Sequence, residues 1–203
     1  MMTLSKAKKA YHHGDLRTTL MNAALEIVEK EGVEMLSLRA CARKADVSHA
    51  APAHHFGNMT GLLHELAAEG YHRLTRHMRE PAQHRADDAL LNAGVGYIRF
   101  AVNHSGLFRV MTRMKASEGA SQKLLDESTQ ALELLRSALQ ASYLAEHNVP
   151  LSESLLAIRT DLAWCTVHGY AHLHIEGMSE KLASGQPEIL LQQLRIALLA
   201  KAE

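Results

Sequence analysis

The stretch LSLRACARKADVSHAAPAHHFGN, residues 36–58, decides the fold of this chain. Ser37 stands directly before a short run in which apolar residues recur at helical spacing, namely Leu38, Cys41, Ala42 and Ala45. The hydroxyl of Ser37 can accept a hydrogen bond from a backbone N–H of the first helical turn. We therefore predict a helix of about two turns that begins after Ser37.

A second short helix is predicted after a break. Asp46 opens the break, because Asp tolerates turn conformations, and Ser48 is a candidate cap for a helix over residues 49–55. Gly57 ends this helix, since glycine adopts a left-handed backbone at little cost. Two short helices joined by a tight turn are the parts of a helix-turn-helix, whose second helix enters the major groove of DNA.

Longer helices flank this motif. One is predicted over Tyr11–Glu31 and the other over Met59–Arg79, where Asn58 supplies a cap. No stretch alternates with a period of two for long enough to indicate a sheet. We predict an all-α fold with two domains: a helix-turn-helix domain of three helices over 1–60, with a basic arm at 1–10, and a helical domain over 61–203. Polar loops predicted at 81–88, 115–121, 146–152 and 177–187 divide the latter.

Composition excludes several classes of protein. The chain has 203 residues, 47% of them apolar, which excludes a collagen-like or disordered chain. The 22 Lys and Arg balance the 22 Asp and Glu, so binding to DNA requires a local basic patch. Two distant cysteines and the absence of a long apolar run predict a cytoplasmic protein that does not enter a membrane.

The sequence of residues 11–74 closely resembles the DNA-binding domain of TetR-type transcriptional regulators. The resemblance rests on YHHGDLRTTLMNAALEIVEKEG, on residues 36–58 quoted above, and on GLLHELAAEGYHRL. It continues in AVNHSGLFRVM (101–111) and AWCTVHGYAHL (163–173), which resemble the ligand-binding domain of the branch named for Trp, His and Gly, here Trp164, His168 and Gly169. The resemblance implies a homodimeric repressor whose C-terminal domain binds a ligand and dimerises.

The resemblance also implies which residues contact DNA. By analogy, Ser37, Arg39, Ser48 and His55 hold backbone phosphates, while His49, Ala50 and His54 face bases. For Ser37 and Ser48 the alternative is plain helix capping. For His54 and His55 the alternative is a solvated or packing side chain.

The sequence departs from the family at two contact positions. Ala53 stands where the family usually has Tyr, and Met59 stands where it usually has Lys, so two phosphate contacts are lost and DNA affinity is expected to be lower. Lys6, Lys8 and Lys9 can compensate by reaching the DNA backbone or minor groove, and the alternative is a disordered solubilising tail.

The charge of the N-terminal domain is small. Residues 1–60 carry eight Lys and Arg against six Asp and Glu, a net charge of +2. Five histidines in the same stretch titrate near neutral pH, so DNA affinity is predicted to rise from about pH 8 to about pH 6.

An apolar effector is the ligand that the resemblance and the composition favour. Apolar residues cluster around one short helix at 107–114, where methionine can adapt to irregular ligands. The candidate ligand-binding residues are Phe108, Met111, Trp164 and His168. For each of them the alternative is ordinary core packing.

The last two long helices carry apolar rows that suit a four-helix dimer interface. These rows are Leu155, Ile158 and Leu162 in one helix, and Leu190, Leu191, Leu194 and Leu198 in the other. The alternative is packing within one subunit. A stripe of Asp161, Cys165, His168 and His172 has metal-ligand chemistry, but 14 histidines produce such spacings by chance, so we predict no metal and no cofactor.

The function predicted from the sequence is a ligand-responsive, sequence-specific DNA-binding repressor that binds operator DNA as a homodimer, and not an enzyme. One alternative is a TetR-like sensor that has lost DNA binding. Another is a helical-bundle metalloenzyme, motivated by Glu65 and the Glu-x-x-His pair Glu69 and His72. That type of metal site needs two such pairs, and the sequence holds one.

Overall fold

The computed structural model describes residues 13–80, 88–114, 119–178 and 187–201. Within these ranges the chain is helical without a strand, so the prediction of an all-α fold is confirmed. The helices are α1 (His13–Lys30), α2 (Leu38–Lys44), α3 (Ala51–Phe56), α4 (Met59–Arg79), α5 (Ala89–Asn103), α6 (Ser105–Arg113), α7 (Gln122–His147), α8 (Glu153–Ile175) and α9 (Pro187–Leu199). None of these helices combines the length and apolarity needed to span a bilayer.

The chain divides into two compact units, one up to Leu62 and one from Leu63. The first unit holds α1, α2, α3 and the start of α4, and the second holds the rest of α4 and α5–α9. The predicted loop at 146–152 separates α7 from α8, whereas the other predicted loops and the arm at 1–10 lie largely or wholly outside the described residues.

The first unit forms a small apolar core under three helices. Leu20, Ile27 and Val28 of α1 are buried together with Cys41 of α2 and Phe56 of α3. A polar link also ties α2 to α1, since Lys44 Nζ lies 3.2 Å from carboxylate oxygens of both Glu26 and Glu31. The short helices are therefore held by both apolar packing and charge.

Side-chain caps and left-handed residues set the helix ends in this unit, as the sequence predicts. The backbone N–H of Ala40 donates to Ser37 Oγ at 3.1 Å, and that of Gly61 donates to Asn58 Oδ1 at 3.0 Å. Asp46 and Gly57 have φ of 52° and 74°, so both have the positive φ expected at these breaks.

The predicted start of the second short helix is wrong by two residues. The helix begins at Ala51 rather than at His49, and the side chain of Ser48 does not cap it. Instead, the backbone carbonyl of Ser48 accepts a hydrogen bond from Ala51 N at 3.0 Å, which closes a turn. The physical reason is Pro52, which lacks an N–H and fits only the first turn of a helix.

In the second unit α5 is the central helix and is buried on nearly all sides. Every residue from Leu90 to Ile98 is buried, and α7, α8 and α9 pack around it. Gly96 allows the backbone of α5 to lie close to that of α4. A Cβ at this position would lie 2.1 Å from the backbone oxygen of His77 in α4. The backbones of α4 and α5 are therefore in direct contact.

Asp88 fixes α9 against the start of α5. One carboxylate oxygen accepts the N–H of Leu91 at 3.0 Å, and the other accepts a hydrogen bond from Nε of Arg195. Arg195 also lies 3.4 Å from Glu146 of α7. One guanidinium thus connects α9 to the ends of two other helices.

Candidate DNA-binding surface and effector site

The predicted DNA-contact residues lie on α2, on the turn before α3 and on α3 itself. Those exposed to solvent are Ser37, Arg39, Ser48, His49, Ala50 and His54. His55 is partly buried, with its ring 5.3 Å from that of His54 and 6.4 Å from that of Phe56. We call these seven residues the recognition surface.

The recognition surface rests on a braced helix. Phe56, at the end of α3, is buried, and the guanidinium of Arg17 in α1 lies 5.3 Å from its ring centroid. Gly61 is required behind it, because a Cβ there would lie 2.0 Å from the carbonyl oxygen of Phe56. Packing on the inner side of α3 therefore leaves its outer side available for a ligand as large as DNA.

The described residues of the first unit provide little electrostatic attraction for DNA. The described residues up to Leu62 carry five Lys and Arg against six Asp and Glu, and Lys44 is already bound to two of those carboxylates. Ala53 is exposed and Met59 is partly exposed, so the two departures from the family pattern face outward. The predicted contribution of Lys6, Lys8 and Lys9 lies outside the described residues.

A cluster of five rings occupies the second unit. The ring of Tyr97 in α5 lies 5.9 Å from Phe108 of α6, 5.6 Å from Trp164 of α8 and 6.3 Å from His168 of α8. His172 completes it, with its ring 4.6 Å from His168 and 5.2 Å from Phe108. We call these five residues the aromatic cluster, and it unites three of the four predicted ligand-binding residues.

The fourth predicted residue, Met111, is buried and reaches α4. A Cβ added to Gly70 would lie 2.4 Å from the sulfur of Met111, so the side chain of α6 occupies the space that this glycine leaves. Sequence reasoning did not single out Tyr97, which lies in a run of buried residues. A tyrosine in an otherwise apolar helix was the signal that could have found it, since a buried hydroxyl needs a partner.

Tyr97 and His168 form a buried polar pair within the aromatic cluster. The Tyr97 hydroxyl oxygen lies 2.7 Å from His168 Nδ1. Burial raises the pKa of the Tyr97 phenol, so the phenol keeps its proton. Burial, and then the neighbouring His172, lower the pKa of His168, so the imidazole is neutral at neutral pH.

A separate apolar cleft lies between α5, α7, α8 and α9. Leucines of α5, α7 and α9 line it together with Ala163 and Val167 of α8, and Arg195 stands at its edge. Its free volume of about 20 Å³ admits about one water-sized group. Sequence reasoning missed this cleft because its lining comes from four helices that are distant in the chain.

The two glutamates that suggested a metal site lie in ion pairs. In the described part of the chain, no group of three or more His, Cys, Asp or Glu side chains is placed to hold a metal ion. Glu69 pairs with Arg73 at 2.7 Å, and Glu65 pairs with Lys123 at 3.1 Å. The carboxylates behind the metalloenzyme hypothesis are therefore in ion pairs.

An apolar face of α8 and α9 is exposed to solvent in the single chain. Ile158 is 65% exposed, Leu162 is 50% exposed and Ile196 of α9 is 62% exposed. Leu173 of α8 and Ile189 of α9 extend this face. We call these five residues the apolar face.

The row predicted on α9 does not belong to the apolar face. Leu191 and Leu198 are buried in the subunit, where they line the cleft beside α5, and Leu190 and Leu194 are only partly exposed. The prediction of their role at a dimer interface was wrong for the two buried leucines, because α5 already covers that side of α9.

Comparison with protein families identifies the class of this chain. Residues 90–195 match the family described as tetracyclin repressor-like, C-terminal domain, and residues 20–66 match the family described as bacterial regulatory proteins, tetR family. The first match alone covers more than half of the chain. The chain therefore belongs to the TetR family of bacterial transcriptional regulators, as the resemblance predicts, while the Trp-His-Gly branch stays a prediction.

Individual relatives agree with this assignment. YobS of Bacillus subtilis (strain 168), an uncharacterised HTH-type transcriptional regulator, is 30% identical over 90 residues, which are 44% of this chain and 47% of YobS. The match thus spans just under half of that relative. A protein of unknown function from Rhodococcus sp. RHA1 has a solved structure with 30% identity and a TM-score of 0.75, covering 95% of this chain and 97% of that one.

A second similar structure is that of BioQ with its double-stranded DNA operator. It has a TM-score of 0.61 at 20% identity and covers 95% of this chain and 100% of BioQ. At this identity the likeness concerns the fold alone.

Proposed function

We propose that this protein is a ligand-responsive repressor that binds a pseudo-palindromic operator as a homodimer and releases it when an apolar small molecule binds. The exposed recognition surface on α2 and α3, inside a unit that matches the tetR family, is the observation that carries this proposal. No step of this function requires catalysis. Because its operator would be chromosomal, the protein would act in the cytoplasm.

On the recognition surface, Ser37, Arg39, Ser48 and His55 would contact phosphates, and His49, Ala50 and His54 would face bases. BioQ, which has the same fold, is known in complex with its operator, and this supports DNA binding here. Ser37 can both cap α2 and contact DNA, since a hydroxyl oxygen accepts while its hydrogen donates.

The homodimer would form through the apolar face of α8 and α9. Several large apolar residues exposed on two helices commonly mark a protein interface. Cys165 and Gly169 are exposed between Leu162 and Leu173, and small residues there would allow two copies of α8 to pack closely. A two-fold axis beside α8 would pair the two recognition surfaces with two half-sites.

The effector would bind at the aromatic cluster, where Phe108, Trp164 and His168 meet. It would favour a conformation in which α4 has moved, which would alter the separation of the two recognition surfaces. The insertion of Met111 against Gly70 supports this route, because it places α6 of the cluster in contact with α4. Operator affinity would fall by the difference in effector affinity between the two conformations.

A selection from random duplex DNA tests the DNA-binding part of the proposal. The full chain is incubated with the pool at near-physiological salt, and the retained duplexes are sequenced. We expect enrichment of a two-fold-related motif, which the variant Arg39→Ala should recover less efficiently. A folded dimer that enriches no motif would contradict operator binding and favour the alternative of a sensor without DNA binding, which Ala53 and Met59 motivate.

A further inference from the structure

The hydrogen bond between Tyr97 and His168 has a defined direction. The Tyr97 side chain is buried, at 2% exposure, and within the described part of the chain its hydroxyl has Nδ1 of His168 as its hydrogen-bond partner at 2.7 Å. A buried O–H without an acceptor is costly. Tyr97 therefore donates, and Nδ1 of His168 accepts.

This direction fixes the tautomer of His168. An Nδ1 that accepts a hydrogen bond carries no hydrogen, so the hydrogen of the neutral ring lies on Nε2. Because burial and His172 both disfavour the charged form of His168, the neutral form predominates. Among the described residues no acceptor is bound to Nε2, and the ring is partly exposed.

The surroundings of Nε2 define what an incoming group must be. Trp164, His168 and His172 follow one another at intervals of four on α8 and are all partly exposed, with buried Phe108 against the two histidine rings. Arg109, the residue after Phe108, is paired with Glu176 at 2.9 Å. An uncharged ligand with an apolar body therefore suits the rings, and a hydrogen-bond acceptor suits Nε2–H.

We propose that Tyr97 holds His168 as an Nε2–H donor, and that this donor selects effectors with an uncharged acceptor, such as a ketone or ester carbonyl, attached to an apolar body. Tyr97 is a positioning residue, and His168 makes the contact. This inference rests on the proposed effector site and names the chemical class that the site takes.

The tautomer can be measured without any effector. Side-chain ¹⁵N chemical shifts of histidine distinguish a nitrogen that carries hydrogen from one that does not, and His168→Gln assigns the relevant signals in the full chain. We expect Nε2–H in the native protein and a mixture of tautomers in Tyr97→Phe, which keeps the ring. Hydrogen on Nδ1 of the native protein would overturn the proposal. Tyr143→Phe, at a buried tyrosine of α7, is the matched control and should leave the tautomer unchanged.

The selectivity is tested with two probes of closely matched shape, 2-acetylnaphthalene and 2-isopropenylnaphthalene. Binding is followed at the indole N–H resonance of Trp164, the single tryptophan of the chain. We expect the ketone to bind about tenfold more tightly than the hydrocarbon, as one hydrogen bond to a donor already in place provides. The preference should disappear in His168→Leu, which has no side-chain N–H, shrink in Tyr97→Phe and persist in Tyr143→Phe.

Each outcome decides a separate point. Equal affinity of the two probes for the native protein, or binding of neither, would overturn the proposed selectivity. Selection from random DNA tests operator binding independently of both probes. A chain that prefers the ketone but enriches no DNA motif would support this inference and contradict the repressor function.

Discussion

The two compact units of this chain are built from different kinds of contact. In the first unit, the short helix α2 is fixed by the Ser37 cap and by the pairing of Lys44 with Glu26 and Glu31, and the exposed surface is largely polar. In the second, α5 is surrounded by other helices, and the exposed surface includes the apolar face. The rigidly held short helices of the first unit suit binding to a rigid partner. The dense packing of the second unit around a buried polar pair suits binding of a small molecule.

The largest effect on stability is expected where α4 crosses α5, and it tests the dense packing of the second unit. Gly96→Ala would place its Cβ 2.1 Å from a backbone oxygen, whereas Gly70→Ala meets side-chain atoms, namely Sδ and Cγ of Met111 at 2.4 and 2.5 Å and Cγ of Leu107 at 3.3 Å. We expect Gly96→Ala to lower the free energy of unfolding by about 3 kcal/mol and Gly70→Ala to change it by less than about 1 kcal/mol. Urea denaturation measures both, and equal losses would contradict the close backbone contact.

The apolar face should respond to a charge more than other exposed leucines do. Leu162→Glu would bury a carboxylate in the proposed interface, and we expect the dimer dissociation constant to rise at least about 100-fold. Leu132→Glu, at a leucine of α7 that is 40% exposed and outside this face, is the control. Sedimentation velocity measures both constants, and an unchanged constant in Leu162→Glu would refute the assignment of the interface to α8.

In the first unit, the turn at Asp46 is the position where a substitution is expected to lower stability most. Asp46→Val places a β-branched residue at a φ of 52° and should cost about 1–2 kcal/mol, while Asp46→Asn should be close to neutral. Amide hydrogen exchange should show the loss in α2 and α3 and not in α5. Uniform loss through both units would break the distinction drawn between them.

A smaller effect is expected on the recognition surface. Arg39→Ala should weaken operator binding about tenfold and reduce the dependence of log affinity on log salt by about one contact. Lys30→Ala, at an exposed lysine that pairs with Glu26, serves as the control for charge. Identical salt slopes for Arg39→Ala and the native chain would exclude a phosphate contact by this residue.

The smallest effect concerns the pH dependence of the second unit. The pKa of His168 is lowered in the folded state. As the pH falls, His168 is therefore protonated at a higher pH in the unfolded chain than in the folded chain. The contribution of neutral His168 to the free energy of unfolding is complete above the usual histidine pKa near 6.5. This contribution is lost as the pH falls through the lowered pKa of the folded state. His168→Gln should show a weaker loss between about pH 7.5 and about pH 5.5 in urea denaturation. A steeper loss in the variant would contradict this sign.

Local interactions made the first unit predictable. Ser37, Asp46, Gly57 and Asn58 act on residues within about one helical turn, so the sequence alone places most helix ends there. The exception is the start of α3, where the constraint of Pro52 outweighs the capping tendency of Ser48. Caps and breaks are therefore reliable where no neighbouring proline competes.

Long-range contacts made the second unit less predictable. Helical periodicity gives the apolar side of α9 but not its neighbour, so Leu191 and Leu198 were assigned to a partner chain although α5 covers them. The partner of His168 is Tyr97, which lies 71 positions earlier in the chain. No local pattern contains this pairing, since it depends on how α5 and α8 pack.

The central claim is that two copies of this chain read two DNA half-sites at once. The direct measurement compares the affinity of the native protein for the selected operator with its affinity for the same duplex with one half-site scrambled. We expect the scrambled duplex to bind at least about 100-fold more weakly at near-physiological salt, and Leu162→Glu to lose most of this difference. Equal affinity of the native protein for both duplexes would contradict the claim.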